Sequence, residues 1–257
     1  MFGFNSLESV HLKMKESVPS LGVDGCQAGW ISVESRSQKV CKITVFRTIQ
    51  ELWSEYKNIE LILIDIPIGL REEGSAPRLC DIAARKLLTR KRSSSIFPTP
   101  CRAALYARSY LEANQINIDK SGKGLSKQAW NICDKIREVD ILLKNDARAR
   151  EIFVESMPEL CFFSLAKGKP MQNYKKTREG IKERLSILDS FCNSPEILLK
   201  ETLQRYSQEG IIADDILDAL VLSITAAKGI LNLYFIPPNY EHDAVGLPMR
   251  MGFLPFK

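Results

Sequence analysis

From Ser20 onward, apolar and polar residues follow a β pattern through "LGVDG", "WISVES" and "KVCKITVFR", broken by polar or glycine-containing stretches. This predicts three antiparallel strands joined by hairpin turns. The spacing then changes: Ile49, Leu52, Trp53 and Tyr56 recur at helical intervals behind Thr48, a good N-cap residue. Next, "ELILIDIPIGL" is apolar on both faces over 61–66 apart from Asp65, and it is stopped by Pro67 and Gly69. Such a run suits a central strand covered on both sides. The order β-β-β-α-β calls for a mixed sheet in which a crossover helix lays the fourth strand parallel to the first. Asp24 and Asp65 are therefore expected at neighbouring strand ends.

Residues 71–150 read as a basic helical insertion over one end of that sheet. In "APRLCDIAARKLLTRKR" the expected apolar stripe is Leu79, Ile82, Ala83 and Leu87. After a polar, glycine-containing stretch at 114–124, "LSKQAWNICDKIREVDILLK" places Leu125, Ala129, Ile132, Ile136, Val139 and Leu143 on one helical face. A fifth strand is expected over 151–156. The following "SMPE" has the form of a capping box, which gives Glu159 a structural role. Two more helices follow, "KKTREGIKERLSILDSF" and "DDILDALVLSITAAKG", and the tail "YFIPPNYEHDAVGLPMRMGFLPF" reads as irregular. The expected organisation is an N-terminal extension, 1–19, and one α/β domain over 20–257.

Charge and cysteine usage narrow the chemistry. Between positions 78 and 108 there are eight basic residues, including Arg78, Arg85, Arg92 and Arg102, against Asp81 alone. Such a cluster suits an anionic partner or a solvated helix face. The seven cysteines form no C-x-x-C pair, and the two histidines, His11 and His242, fall outside any strong pattern. Disulfide frameworks, zinc ribbons and imidazole-centred catalysis are thereby disfavoured. The chain has no membrane-length apolar run and no signal-type apolar core at its start, so a cytoplasmic location is expected.

Carboxylates in apolar settings are the candidate chemistry. The final helix is apolar almost all round from Ile216, yet its first turns carry Asp214, Asp215 and Asp218. Asp214 can cap the helix and Asp215 can complement its dipole, but Asp218 lies a turn further in and needs a cation. Asp24 and Asp65 pose the same problem. Mg²⁺ or Mn²⁺ held by Asp24, Asp65, Asp215 and Asp218 would answer all of them, with room for two ions and for the in-line hydrolysis of a phosphodiester. Glu155, near the end of the fifth strand, is a further candidate ligand or water-positioning group. The glycines of "LGVDGCQAGW" are expected to keep the hairpin beside Asp24 slim enough for a backbone or phosphate to approach.

The blocks "GVDGCQAGW", "LILIDIPIGL", "RLCDIAARKLL", "SSSIFPTPCRAAL", "GLSKQAWNICDKIREVD", "VESMPELCFFSL", "KKTREGIKERL", "DDILDAL" and "GLPM" resemble, in order, those of the domain of unknown function 429 family. That family is described as predicted nucleases of the ribonuclease H-like fold. The resemblance implies a five-stranded sheet of order 3-2-1-4-5 with strand 2 antiparallel, flanking helices, and acids on strands one and four and the last helix. "DILDAL" is similar to the D-x-x-D-A-L of Holliday-junction resolvases through Asp215 and Asp218, whereas the basic insertion after strand four departs from those small enzymes. Arg85, Arg102, Lys176 and Arg184 lie in the family blocks and, with Arg92, are the candidates to meet phosphates. The expectation is a metal-dependent nuclease acting on DNA or RNA. The alternatives are a non-catalytic nucleic-acid-binding or scaffold protein and an ATP-binding phosphotransferase of the actin-like fold. "GVDGCQAGW" also resembles the phosphate hairpin of that last class, but no second D-G-x-x-x-G hairpin is present, and "SGKGLSK" lacks P-loop spacing.

Overall fold

A computed structural model describes residues 19–36, 39–92 and 96–256, with the backbone alone at 89–91. Most of the stretch read as an N-terminal extension lies outside the described residues. In chain order, β1 (Ser20–Cys26), β2 (Gly29–Arg36) and β3 (Lys39–Phe46) are followed by α1 (Ile49–Glu55) and β4 (Leu61–Ile64). The segment after β4 carries α2 (Leu79–Arg92), a short 3-10 helix (Arg102–Tyr106), α3 (Tyr110–Ser121), α4 (Lys127–Asn131), α5 (Cys133–Asn145) and α6 (Ala147–Ile152). Then come β5 (Phe153–Glu155), α7 (Pro158–Leu165), α8 (Arg178–Leu188), α9 (Pro195–Arg205), α10 (Ala213–Ala226), β6 (Tyr234–His242) and β7 (Pro248–Phe253).

The five-stranded sheet has the order β3-β2-β1-β4-β5. β1 is antiparallel to β2 and parallel to β4, which is parallel to β5. This is the order and the strand sense that the ribonuclease H-like resemblance implies. The four residues of β4 show why it is central. Leu61 and Leu63 point into the core shared with α10, while Ile62 and Ile64 point into the core on the other face, with Ile49, Leu52 and Trp53 of α1. Thr48 caps α1 as expected, accepting from the Glu51 N–H at 3.2 Å.

Gly22 sets how closely α10 lies on the sheet. A Cβ there would sit 2.1 Å from Ser223 N and 2.2 Å from Ala219 O, so only a glycine lets the helix backbone rest on β1. That contact brings the first turns of α10 to the end of β1.

Several local expectations are corrected. The insertion does not cap one end of the sheet: Cys80, Ala84 and Leu88 of α2 join the α10 core, while Ala113, Ala129, Cys133, Ile136 and Val139 of α3, α4 and α5 join the opposite one. On α2 the buried stripe is therefore Cys80, Ala84 and Leu88, and Leu79 is exposed. The long helix after 124 is broken at Ile132, where the backbone leaves helical geometry and separates α4 from α5. Helix α6 takes the start of the expected fifth strand. No capping box forms at Ser156, because its hydroxyl donates to Gly252 O at 2.6 Å and Met157 is the N-cap of α7. The tail is an antiparallel hairpin, β6–β7, whose inward residues Met249, Met251 and Phe253 alternate. None of the described helices is long and apolar enough to cross a membrane.

A candidate carboxylate metal centre

Parallel pairing carries three acids to one edge of the sheet. Val23 is opposite Ile64, and the ladder continues past β4 with Asp65 N–H donating to Val23 O at 3.1 Å, so Asp24 and Asp65 follow side by side. Glu155 pairs opposite Ile64 on the other side. The first turns of α10 bring Asp214, Asp215 and Asp218 to the same place. All six acids line one cavity of about 710 Å³, together with Lys175, Lys176, Lys135, Arg78, Arg92 and Tyr174.

The acids of α10 divide differently from the sequence expectation. Asp214 and Asp218, four apart and hence on one face, each place Oδ2 2.7 Å from the ammonium of Lys175. Asp214 is not the cap, since the N-cap position is Ile212. Asp215 instead reaches back to accept the Ile212 N–H at 3.1 Å, which draws its carboxylate away from Lys175. Asp24 accepts from its neighbour's backbone, Gly25 N–H, at 2.8 Å.

Charge in this cluster is not balanced. Burial, and after it the charges of Asp65 and Asp218, push Asp24 well above the usual carboxylate range. Burial and the Asp218 charge raise Asp65 to about 8. Burial raises Asp218 to about 6 even though Lys175 pulls it down. Oδ1 of Asp214 is buried and has no hydrogen-bond partner. Four carboxylates thus share a partly desolvated cavity with the ammonium of Lys175, although among the described residues no three of them bring ligand atoms within 4.8 Å of one another.

A second polar cluster lies next to the first. Among the described residues, Cys80, Asp81 and Glu155 each bring a ligand atom within 4.8 Å of the others, a buried group that could hold a metal ion. Arg78 fills it in this structure. Its guanidinium donates to both oxygens of Asp81 (2.7 and 3.2 Å) and both of Glu155 (2.7 and 2.8 Å). Glu155 also accepts from the Ile68 N–H at 2.7 Å, and Asp81 from the Thr99 hydroxyl at 3.2 Å. Glu155 therefore acts here as a structural partner of Arg78, beside the carboxylate cluster.

A family profile described as "Protein of unknown function (DUF429)" matches residues 22–241. The chain belongs to the DUF429 family. Comparison with curated proteins and with solved structures gave no match. The matched span of this DUF429 protein includes every acid of the cavity.

Of the basic residues expected to meet phosphates in the DUF429 chain, two line the cavity. Lys176 is exposed there. Arg92 is buried and holds the approach loop, donating to Met171 O at 2.8 Å and to Asn173 O. The other three are spent on structure. Arg184 is fully buried against Glu159, Arg102 is buried among Asp140, Asp243 and Glu72, and Arg85 donates to Ile96 O. None of the three lines the cavity.

Lys175 was missed by sequence reasoning. It sits in a loop with no periodic signal, and only the fold brings it to Asp214 and Asp218. The glycines near Asp24 let a backbone approach, as expected, and the backbone is that of α10. Gly22 admits α10, and a Cβ on Gly25 would meet the Lys135 side chain at 2.7 Å.

Proposed function

We propose that this protein is a metal-dependent phosphodiesterase of the nuclease type, with Asp24 and Asp65 as the principal metal ligands, Asp218 beside them on Lys175, and DNA or RNA as substrate. The observation that carries the reading is the excess of carboxylate over cation in one cavity, with Asp65 held up to about 8 and an oxygen of Asp214 left without a partner. A buried anionic cluster of this kind is costly unless a cation completes it. Mg²⁺ or Mn²⁺ bound there would supply Lewis-acid polarisation of a phosphoryl oxygen and a nucleophile from water at neutral pH.

The remaining groups suit a polyanion. Lys176 lines the cavity, is exposed and offers positive charge to phosphates, the contacts that give affinity without reading sequence, whereas Lys135 beside it donates to Gly29 O and stands over the Trp30 ring. Tyr174 is 60% exposed beside them and presents a ring on which a base can stack. Arg92 keeps the Tyr174–Lys176 segment in place through its carbonyl contacts.

The test is incubation with Mn²⁺ or Mg²⁺ and end-labelled single strands, duplexes, hybrids and junctions. Cleavage of at least one class is expected, abolished by a chelator and by Asp65→Asn. Absence of cleavage of every class by protein shown to have bound Mn²⁺ would overturn the nuclease reading and favour a binding role.

A further inference from the structure

The carboxylate cluster carries a cation of its own. Lys175 Nζ lies 2.7 Å from Oδ2 of both Asp214 and Asp218, between the two. A metal ion using those same oxygens would need them at about 2.1 Å and would overlap the ammonium. In the same cavity, the Asp65 carboxylate accepts no hydrogen bond from the described residues, and Asp24 accepts only from Gly25 N–H. Lys175 thus forms ion pairs with two of the four acids, and among the described residues Asp24 and Asp65 form none.

The Lys175 contact is built into the fold. The loop bearing Lys175 is fixed at several points: buried Arg92 donates to Met171 O and Asn173 O, and Glu183 accepts from the Gln172 and Asn173 N–H groups at 2.7 and 2.8 Å. Tyr174 O accepts from the Thr177 N–H at 3.0 Å and the Thr177 hydroxyl at 2.8 Å. Gly180 lets α8 press against that carbonyl, since a Cβ there would lie 2.0 Å from it. A lysine anchored this way differs from a surface lysine that swings in by chance.

We propose that Lys175 permanently takes the place of one of two metal ions, so that the cluster binds a single divalent cation, on the side of Asp24 and Asp65. The proposal rests on reading the cluster as a metal site. It replaces a two-ion centre, whose ions would sit about 3.5 to 4 Å apart, with one ion and one fixed ammonium. The charge of Lys175 would then face the phosphate without leaving when the metal is removed.

The count of bound Mn²⁺ tests this, by isothermal titration and by electron paramagnetic resonance of the unbound ion. Wild-type protein should bind one Mn²⁺ per chain, and Lys175→Arg should also bind one. Lys175→Met, which keeps the stem and removes the charge, should bind two, with spin coupling between them. Two ions in the wild type, or one in folded Lys175→Met, would overturn the proposal and leave the metal-centre reading intact. No Mn²⁺ in any form would remove both. A measurement on the wild type needs no variant to fold: the Lys175 ammonium signal in a ¹H–¹⁵N spectrum should stay protected from exchange when Mg²⁺ saturates the protein. Its loss on adding Mg²⁺ would show the lysine displaced and refute the proposal.

Discussion

Two buried polar clusters sit side by side at the end of this sheet and solve the problem of buried charge in opposite ways. Around Arg78, one guanidinium meets Asp81 and Glu155 with both oxygens of each acid satisfied. Around Lys175, one ammonium meets Asp214 and Asp218, while Asp24 and Asp65 line the same cavity and form no ion pair among the described residues. The planar fork of arginine can complete two carboxylates at once, whereas a lysine is a point charge that leaves oxygens over. Arg78 closes the first cluster, and the proposed function makes the second the place where a cation binds. Carboxylates of suitable spacing are therefore not enough to propose a metal site; the proposal rests on acids that no arginine or lysine pairs.

Removing Arg78 should have the largest effect. Arg78→Met strands two buried carboxylates and should lower unfolding free energy by about 3 to 5 kcal/mol in urea or guanidinium titrations. If instead Mg²⁺ restores that loss in full, the Cys80–Asp81–Glu155 group is itself a metal site and the contrast between the clusters fails.

The next effect is stabilisation by the ion. At a Mn²⁺ concentration one hundred times its dissociation constant, the gain should be about 2.7 kcal/mol, seen as a raised melting temperature. Asp24→Asn or Asp65→Asn should remove most of it. Equal stabilisation of these variants would place the ion elsewhere.

Another effect should come from pH in metal-free protein. Asp65, raised to about 8, and Asp218, raised to about 6, hold protons in the folded state that the unfolded chain has already released. The folded state thus binds more protons across this range, so stability should fall as pH rises from about 4 to about 8. Lys175 offsets part of the repulsion and the acids titrate together, which moderates the slope. Asp65→Asn should flatten the curve, and a stability that rises with pH over this window would contradict the assignment.

The smallest effect belongs to Asp215, which accepts from the Ile212 N–H at the start of α10. Asp215→Asn should change stability by about 0.3 to 1 kcal/mol and cost less of the Mn²⁺ stabilisation than Asp65→Asn does.

The parts of this arrangement that were legible in the sequence are those encoded by local pattern. The period-2 strands, the doubly apolar fourth strand and the apolar α10 placed Asp24, Asp65 and Asp218 correctly, because a lone acid in such a setting is conspicuous. The pairings that decide the electrostatics were not legible, since they join distant segments: Arg184 to Glu159, Arg102 to Asp140 and Asp243, Lys175 to Asp214. A basic residue in sequence carries no sign of whether it will be spent on a buried acid. The β6–β7 hairpin was hidden by Pro237 and Pro238, although the alternation of Met249, Met251 and Phe253 was present. Helix α3 was hidden because its buried face is small, essentially Ala113 and Asn117.

The most direct test of the contrast is anomalous diffraction from crystals soaked in Mn²⁺. A peak between the carboxylates of Asp24 and Asp65, with Arg78 still bound to Asp81 and Glu155, is the predicted result. A peak on Cys80, Asp81 and Glu155 with Arg78 turned away, or no peak near Asp24 and Asp65 at saturating Mn²⁺, would contradict it.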